Sequence, residues 1–380
     1  MKKLKNATLL LSALGCMTLA SCGGGKGGTT AAPKIGVLVA DVSGEEAQAF
    51  RTYMTEYVAK QYGATIEYTT ALENAADEKS AIEDFAGRGF DAIISMSSSD
   101  RAAQLATCVQ NKIYYTVGSG MLDDKVYETY KGNEYFLGQI GPSMQTEYEA
   151  GLAMGQYYKA KGVDHVGMYG AFIPNPMHVF RAAGVIVGLG DTYGEASEMG
   201  AIVGQIYADN GIQQAKIGGD VTVDYMAGFD PTTTYSTLGS IIGSGIDAFL
   251  SVGMATTFFS QNLNDAKIPY GDIDAFTSSN GTNMSSGSLN YLAGKYASSL
   301  GPVYALIANA KNGHSIRDAQ DNAPSISQSY AVATSSEEFT ALAAKESGDT
   351  RIFSKEVLDS MIGDSVTYDA FVEAVQKERI

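Results

Sequence analysis

The chain has no tryptophan, few histidines and cysteines, and too few basic residues to balance its acids: 26 Lys and Arg stand against 42 Asp and Glu, a formal charge of −16. Each shortage excludes something. His165, His178 and His314 lie far apart with no Cys or carboxylate at ligand spacing, so no metal site is expected and each reads as a surface or edge residue. Cys16 and Cys22 fall in the N-terminal segment and leave Cys108 alone, which rules out a disulfide framework and makes Cys108 a core residue of an amphipathic helix. The acidic balance argues against nucleic acid or an anionic lipid surface as a partner, since both require a basic face. No G-x-S-x-G elbow occurs, the first turn reads DVSGEE rather than G-x-G-x-x-G, and the GGGKGG run misses the spacing of a phosphate loop and follows no strand. No cofactor is implied, and nothing points to an enzyme.

What is present begins at the N-terminus. Lys2, Lys3 and Lys5 precede an apolar stretch, residues 7–19, that is too short to cross a bilayer. Leu19-Ala20-Ser21-Cys22 then resembles the lipobox of bacterial lipoproteins. That resemblance implies a signal peptide over residues 1–21, cleavage before Cys22 and a diacylglyceryl group on its sulfur; the plainer reading is an ordinary signal peptide cut nearby. Loss of the three lysines would take the formal charge from −16 to −19. Residues 22–33, rich in Gly and Thr, read as a flexible tether that leaves the folded body lipid-anchored at the extracytoplasmic face of the cell membrane.

The remaining chain is 45% hydrophobic over its whole length, enough for two cores. Its first stretch, residues 34–51, opens with IGVLVA, a short β-branched run that reads as a buried parallel strand ending at Asp41. A turn at Ser43-Gly44 and a helix carrying Phe50 follow. In open α/β sheets ligands bind beyond the carboxyl ends of strands, which places Asp41 and Phe50 at a candidate site. Strand and helix alternate to residue 141, and after a helix over 145–160 the alternation restarts at His165. The fold class expected is α/β: two lobes, each a parallel sheet flanked by helices, with a hinged cleft between them. Lobe 1 takes residues 34–141 and about 297–322, and lobe 2 takes 142–296 and about 323–380.

Two later segments are as informative as the first. In residues 166–188 a strand leads to Gly170, a loop with Pro174, and a helix with Phe180, Gly184 and Gly188 on one close-packed face. In residues 221–248 Phe229 follows a strand, and Asp230-Pro231 opens a helix. With Asp41-Val42, Gly44, Phe50, the helix stretch QTEYEAG at 145–151 and Lys295 before a return helix, these segments resemble the basic membrane protein family, the purine-nucleoside-receptor type of ABC-transporter substrate-binding lipoproteins. The resemblance covers about residues 34–313 and implies a periplasmic-binding-protein-like type I fold.

It further implies a purine base held between Phe50 and Phe229, with Asp41 accepting from its N–H groups and Lys295 donating to ribose hydroxyls. The chain departs from the family in carrying Arg51 after Phe50. It also has Phe276-Thr277-Ser278-Ser279-Asn280 where a ribose-binding carboxylate belongs, so Ser278 or Asn280 would serve as neutral partners. Plainer readings stand beside these: Phe50 and Phe229 as packing residues, Asp41 as a helix cap, Lys295 as a solvated lysine, Arg181 in a surface ion pair. The function expected is an ABC importer's binding protein for a nucleoside, purine favoured, presented to permease subunits. The alternatives are a sugar receptor, whose hydroxyl-binding groups the SSNGTN segment would supply as a loop, and a ligand sensor for a membrane signalling protein.

Overall fold

Runs such as Ile35–Leu38, AIIS, FLGQIG and AFLS are buried along their whole length, as strands covered on both faces must be. The computed structural model describes residues 32–170 and 175–377. The lipobox cysteine Cys22, the signal segment, nearly all of the tether, and Pro174 lie outside the described residues.

The first series runs β1 (Lys34–Leu38), α1 (Glu45–Thr52), a π-helical stretch Tyr53–Val58, α2 (Ala59–Tyr62), β2 (Thr65–Tyr68), α3 (Ala75–Gly87), β3 (Ala92–Ser95), α4 (Arg101–Asn111), β4 (Tyr114–Val117), α5 (Asp124–Tyr130) and β5 (Phe136–Gly141). The second runs α6 (Met144–Ala160), β6 (His165–Tyr169), α7 (Pro176–Gly188), β7 (Thr192–Tyr193), α8 (Met199–Ala208), β8 (Ile217–Gly218), β9 (Thr222–Met226), α9 (Thr234–Gly243), β10 (Ala248–Ser251), α10 (Ala255–Ala266), β11 (Tyr270–Ala275), α11 (Ser278–Ser286) and β12 (Leu289–Lys295). Then come α12 (Gly301–Lys311), β13 (Ser325–Ser327), β14 (Ala331–Ala333), α13 (Ser336–Ala344), α14 (Lys355–Ser360) and α15 (Tyr368–Lys377).

Twelve of the strands form two six-stranded sheets of matching order, β13-β5-β4-β3-β1-β2 and β14-β12-β11-β10-β6-β9, and β7 and β8 make a separate antiparallel pair. Every pairing in the six-stranded sheets is parallel except the edge strand β14, which runs antiparallel to β12. Each sheet with its helices is one lobe, and the chain passes between lobes at 141–143, 295–297 and 327–331 and once more after α13. This is the two-lobed α/β architecture the alternation predicts.

Two features set the frame for the site. Helices α6 and α7 touch through glycines: a Cβ on Gly184 or Gly188 would overlap the carbonyls of Tyr148 and Leu152, and one on Gly151 or Gly155 those of Arg181 and Val185. That close approach brings Glu147, in the first turn of α6, against Arg181, in the second turn of α7. The second feature corrects the expected boundary at residue 323. Strand β13 adds to the first sheet beside β5, and only β14 and α13 join the second lobe. Beyond them the chain returns to lobe 1, where Phe353, Leu358, Met361, Phe371 and Val375 complete the core. Tyr53 Oη donates to Phe353 O at 2.8 Å, Tyr57 Oη accepts from Lys355 N at 2.8 Å and Tyr62 Oη donates to Asp359 Oδ1 at 2.9 Å, so tyrosines of the first lobe meet polar groups of the tail's backbone and side chains.

Candidate functional site

The cleft lies where the carboxyl ends of the two sheets face each other. On the lobe 1 side β1 ends at Leu38, not Asp41, and Asp41 stands in the turn before α1. Its carboxylate accepts from Ser43 N at 2.8 Å, Ser43 Oγ at 3.1 Å and Gly44 N at 3.1 Å, capping its own turn. Burial alone would raise the Asp41 pKa, but the Ser43 and Gly44 donors outweigh it and hold the carboxyl below its usual value.

Phe50 is 4% exposed and packs in the lobe 1 core with Val39, Tyr53 and Met54; it also borders a crevice near the hinge. Phe229 is 38% exposed in the loop after β9, stacked on Phe258 of its own lobe with centroids 4.5 Å apart and planes at 24°. One ring is interior to its lobe and the other is paired within its lobe.

What joins the lobes is the first turn of α1. Glu45 accepts from Ser279 N at 3.1 Å, from Ser279 Oγ and, at 3.5 Å, from Ser278 Oγ. The segment expected as a loop is thus the start of α11, capped by Thr277, and its free N–H groups and hydroxyls receive a carboxylate from the opposite lobe. Burial raises the Glu45 pKa, but the donors of Ser279, Thr277 and Ser278 together outweigh it and lower it. Glu46, the next residue, lies 3.0 Å from Lys295 Nζ, although its Oε1 makes no well-aligned hydrogen bond there.

Lys295 ends β12 and is 14% exposed, so it is neither a free surface lysine nor in open solvent. Burial lowers its pKa, but the Glu46 carboxylate together with Tyr330 and Glu147 outweighs it and the ammonium is held charged. Near the end of the neighbouring strand β11 stands Asp274, paired in register with Gly294, one residue before Lys295. Its Oδ2 accepts from Asn280 Nδ2 at 3.3 Å, and Asn280, fully buried, also donates to Ala275 O at 2.8 Å. Burial first, and then the Glu46 charge, push the Asp274 carboxyl up to about 6. The contrast with Asp272, two residues back on the same face of β11, is sharp. Asp272 is spent on the start of α10, accepting from Ala255 N at 2.6 Å and Thr256 N at 3.4 Å.

Behind this wall Arg181 pairs with Glu147 at 2.7 Å, the side chains being 3% and 2% exposed. The guanidinium also donates to Val252 O and Ile273 O, and Tyr330 Oη reaches the same carboxylate at 2.8 Å. Arg181 is therefore in an ion pair, as its plainer reading has it, but a buried one that ties α6, α7, β11 and the third crossover together. Burial, then the charges of Arg181 and Lys295, bring His178 down to about 3, so its imidazole is neutral. The crevice beside Lys295, about 580 Å³ with open solvent at its mouth, is bordered by Tyr296, Ser119, Pro142 and Gln328 and, from the tail, Ile352 and Phe353.

Of the residues singled out in the sequence, Lys295 and Ser278 face the glutamates of α1, Asn280 holds Asp274, and Phe50 borders the same crevice as Lys295, while Asp41 is taken up by its own turn and Phe229 is stacked on Phe258. Glu45, Glu46 and Asp274 were not singled out. Asp274 carried a readable signal: in YGDIDA two carboxylates alternate along one face of a buried strand, where a core residue belongs. Strand β11 ends at Ala275, so Asp274 is its last acidic residue and residues 276–280 lie beyond it.

No family model matches the chain, and no curated protein does. Solved structures share its fold. The periplasmic binding protein of the arabinose ABC transporter from Shewanella sp. ANA-3, bound to L-arabinofuranose, superposes with a TM-score of 0.57 at 17% identity, over 82% of this chain and 95% of that one. An ABC-transporter solute-binding protein from Bacillus halodurans with bound myo-inositol gives 0.60 at 16%, over 84% and 99%. Another from Agrobacterium vitis with bound D-fucose gives 0.56 at 13%, over 79% and 95%. What this chain shares with them is the type I periplasmic-binding-protein fold.

Proposed function

We propose that this chain is the solute-binding protein of an ABC importer, that its ligand is a sugar or polyol held between the lobes, and that it binds and presents this ligand to permease subunits without chemistry. The observation that carries the reading is the composition of the inter-lobe wall. Glu46, Asp274, Asn280 and Lys295 offer charged and amide hydrogen-bonding atoms, each suited to a hydroxyl, whereas Phe50 and Phe229 are occupied within separate lobes. A hydrogen bond from a hydroxyl to a charged group contributes about 1.5–3 kcal/mol. Proteins of the same fold carry furanoses, inositol and fucose, which agrees with a hydroxyl-rich ligand.

Calorimetry on the full-length protein with L-arabinose, D-galactose, D-fucose, myo-inositol and adenosine tests it. Micromolar binding of a sugar or of the inositol is the expected result; heat from adenosine with none from the others would restore the nucleoside reading, which the exposed Phe229 face favours. Anchoring through Cys22 at the extracytoplasmic face belongs to the same proposal, and Cys22→Ser should release the protein from membranes.

A further inference from the structure

Around Asp274 the acceptors outnumber the donors. Its carboxylate receives one side-chain hydrogen bond among the described residues, the 3.3 Å contact from Asn280. The same carboxamide leaves Oδ1 without a partner in a side chain that is 0% exposed, and Glu46 Oε1, also buried, has only its 3.0 Å ion pair with Lys295 and no aligned hydrogen bond. All of these atoms can only accept. The charges are uneven in the same sense. Glu46 and Asp274 face a single ammonium, Lys295, because Arg181 is committed to Glu147, Tyr330 and two carbonyls, and His178 is neutral. Glu45 is satisfied at the start of α11 and Asp41 by its own turn, so neither adds to the excess.

We infer that the ligand carries an ammonium group, as an amino sugar or amino polyol does, and that Asp274, Asn280 Oδ1 and Glu46 receive it. An ammonium brings three donors, no acceptor and one positive charge, which is what the orphaned acceptors and the surplus carboxylate lack. A hydroxyl in its place would supply one donor and leave the carboxylate's charge uncompensated in a half-buried site. The inference rests on the reading of a hydroxylated ligand in this cleft and adds the charge of that ligand.

Matched pairs separate the two. The full-length protein is titrated calorimetrically at about pH 7 with D-galactose and D-galactosamine, D-glucose and D-glucosamine, and myo-inositol and an aminoinositol. In at least one pair the amine should bind about tenfold more tightly or better. That preference should shrink to about twofold or less at about pH 5, where Asp274 takes up a proton, and in Asp274→Asn. Glu46 from α1, Lys295 from β12, Arg181 from α7 and Asp272 on the same strand all face Asp274, so the pH profile is compared with that of the variant to isolate its carboxyl. Neutral members binding as tightly as their amines would overturn the inference and leave the sugar reading intact. Heat from adenosine alone, or from none of the compounds, would overturn both. A melting temperature of Asp274→Asn at least equal to wild type shows that a lost preference is not lost folding.

Discussion

The two rims of the cleft use similar residues in opposite ways. On lobe 1, Asp41 spends its carboxylate on Ser43 and Gly44, and Phe50 spends its ring on the lobe's own core. On lobe 2, Asp274 is half-buried with a single weak donor, and Phe229 keeps 38% of its surface in solvent. Groups already satisfied hold a loop or a helix in place. Groups left short of partners are costly to the free protein and become useful when a ligand arrives. Lobe 2 therefore carries the poised side of the site, and lobe 1 supplies the two glutamates of α1 that reach across to it.

The aromatic pair gives the largest expected difference. Phe50→Ala should cost about 3–5 kcal/mol of stability, as a deleted core ring does. Phe229→Ala should cost about 1 kcal/mol, the worth of its stacking on Phe258. Urea denaturation of both variants reads the gap; equal losses would mean that the two rings have the same role. The buried ion pair ranks next. Glu147→Ala strands Arg181 at 3% exposure and should cost about 3 kcal/mol, whereas Glu147→Gln, which retains an acceptor for the guanidinium, should cost less. If alanine proved harmless, water would have to reach the guanidinium and the wall behind the site would not be dry.

Most of the fold was legible because buried parallel strands and amphipathic helices announce themselves locally: β6 starts at His165, where the alternation restarts, and α7 follows Gly170 within the stretch 166–188. Helix α11 was not, since SSNGTNMSS has no apolar stripe beyond Met284 and owes its start to Thr277 and Glu45. Strand β12, LNYLAGK, was hidden by its Asn, Gly and Lys; parallel pairing with β11 fixes it. The tail's lobe was illegible for a different reason. Its apolar residues state that they will be buried, but the tyrosines that receive its backbone lie about 300 residues earlier in the chain. The site was legible only in part for the same reason, as Glu46 and Lys295 meet solely through the fold.

A subtler contrast lies in the protonation of the two aspartates. Asp274 has its pKa raised, to about 6, by burial and the Glu46 charge. A raised carboxyl adds stability that is fully present below its unfolded value, near 4, and is lost as pH climbs through about 6. Asp274→Asn should therefore leave stability nearly unchanged at about pH 4 and raise it by about 1–2 kcal/mol at about pH 8, a figure reduced for the side chain's contact with water. Thermal melts at the two pH values check this; a variant less stable at the higher pH would mean that Lys295 already balances the carboxylate.

Asp41 should behave in the reverse sense and more weakly. Burial pulls its pKa up but the Ser43 and Gly44 donors pull it further down, so the net shift is downward. A lowered carboxyl contributes stability above its unfolded value and loses it as pH falls through the folded one. Asp41→Ala should cost about 1 kcal/mol at about pH 7, the usual worth of a cap at a helix start, and progressively less towards about pH 3. Because that carboxylate is taken up by its own turn, the same substitution should change ligand affinity by less than about threefold once stability is allowed for. A loss of binding much larger than the loss of stability would mean that the turn opens on closure and that Asp41 leaves Ser43 for the ligand, which would make the two rims alike after all.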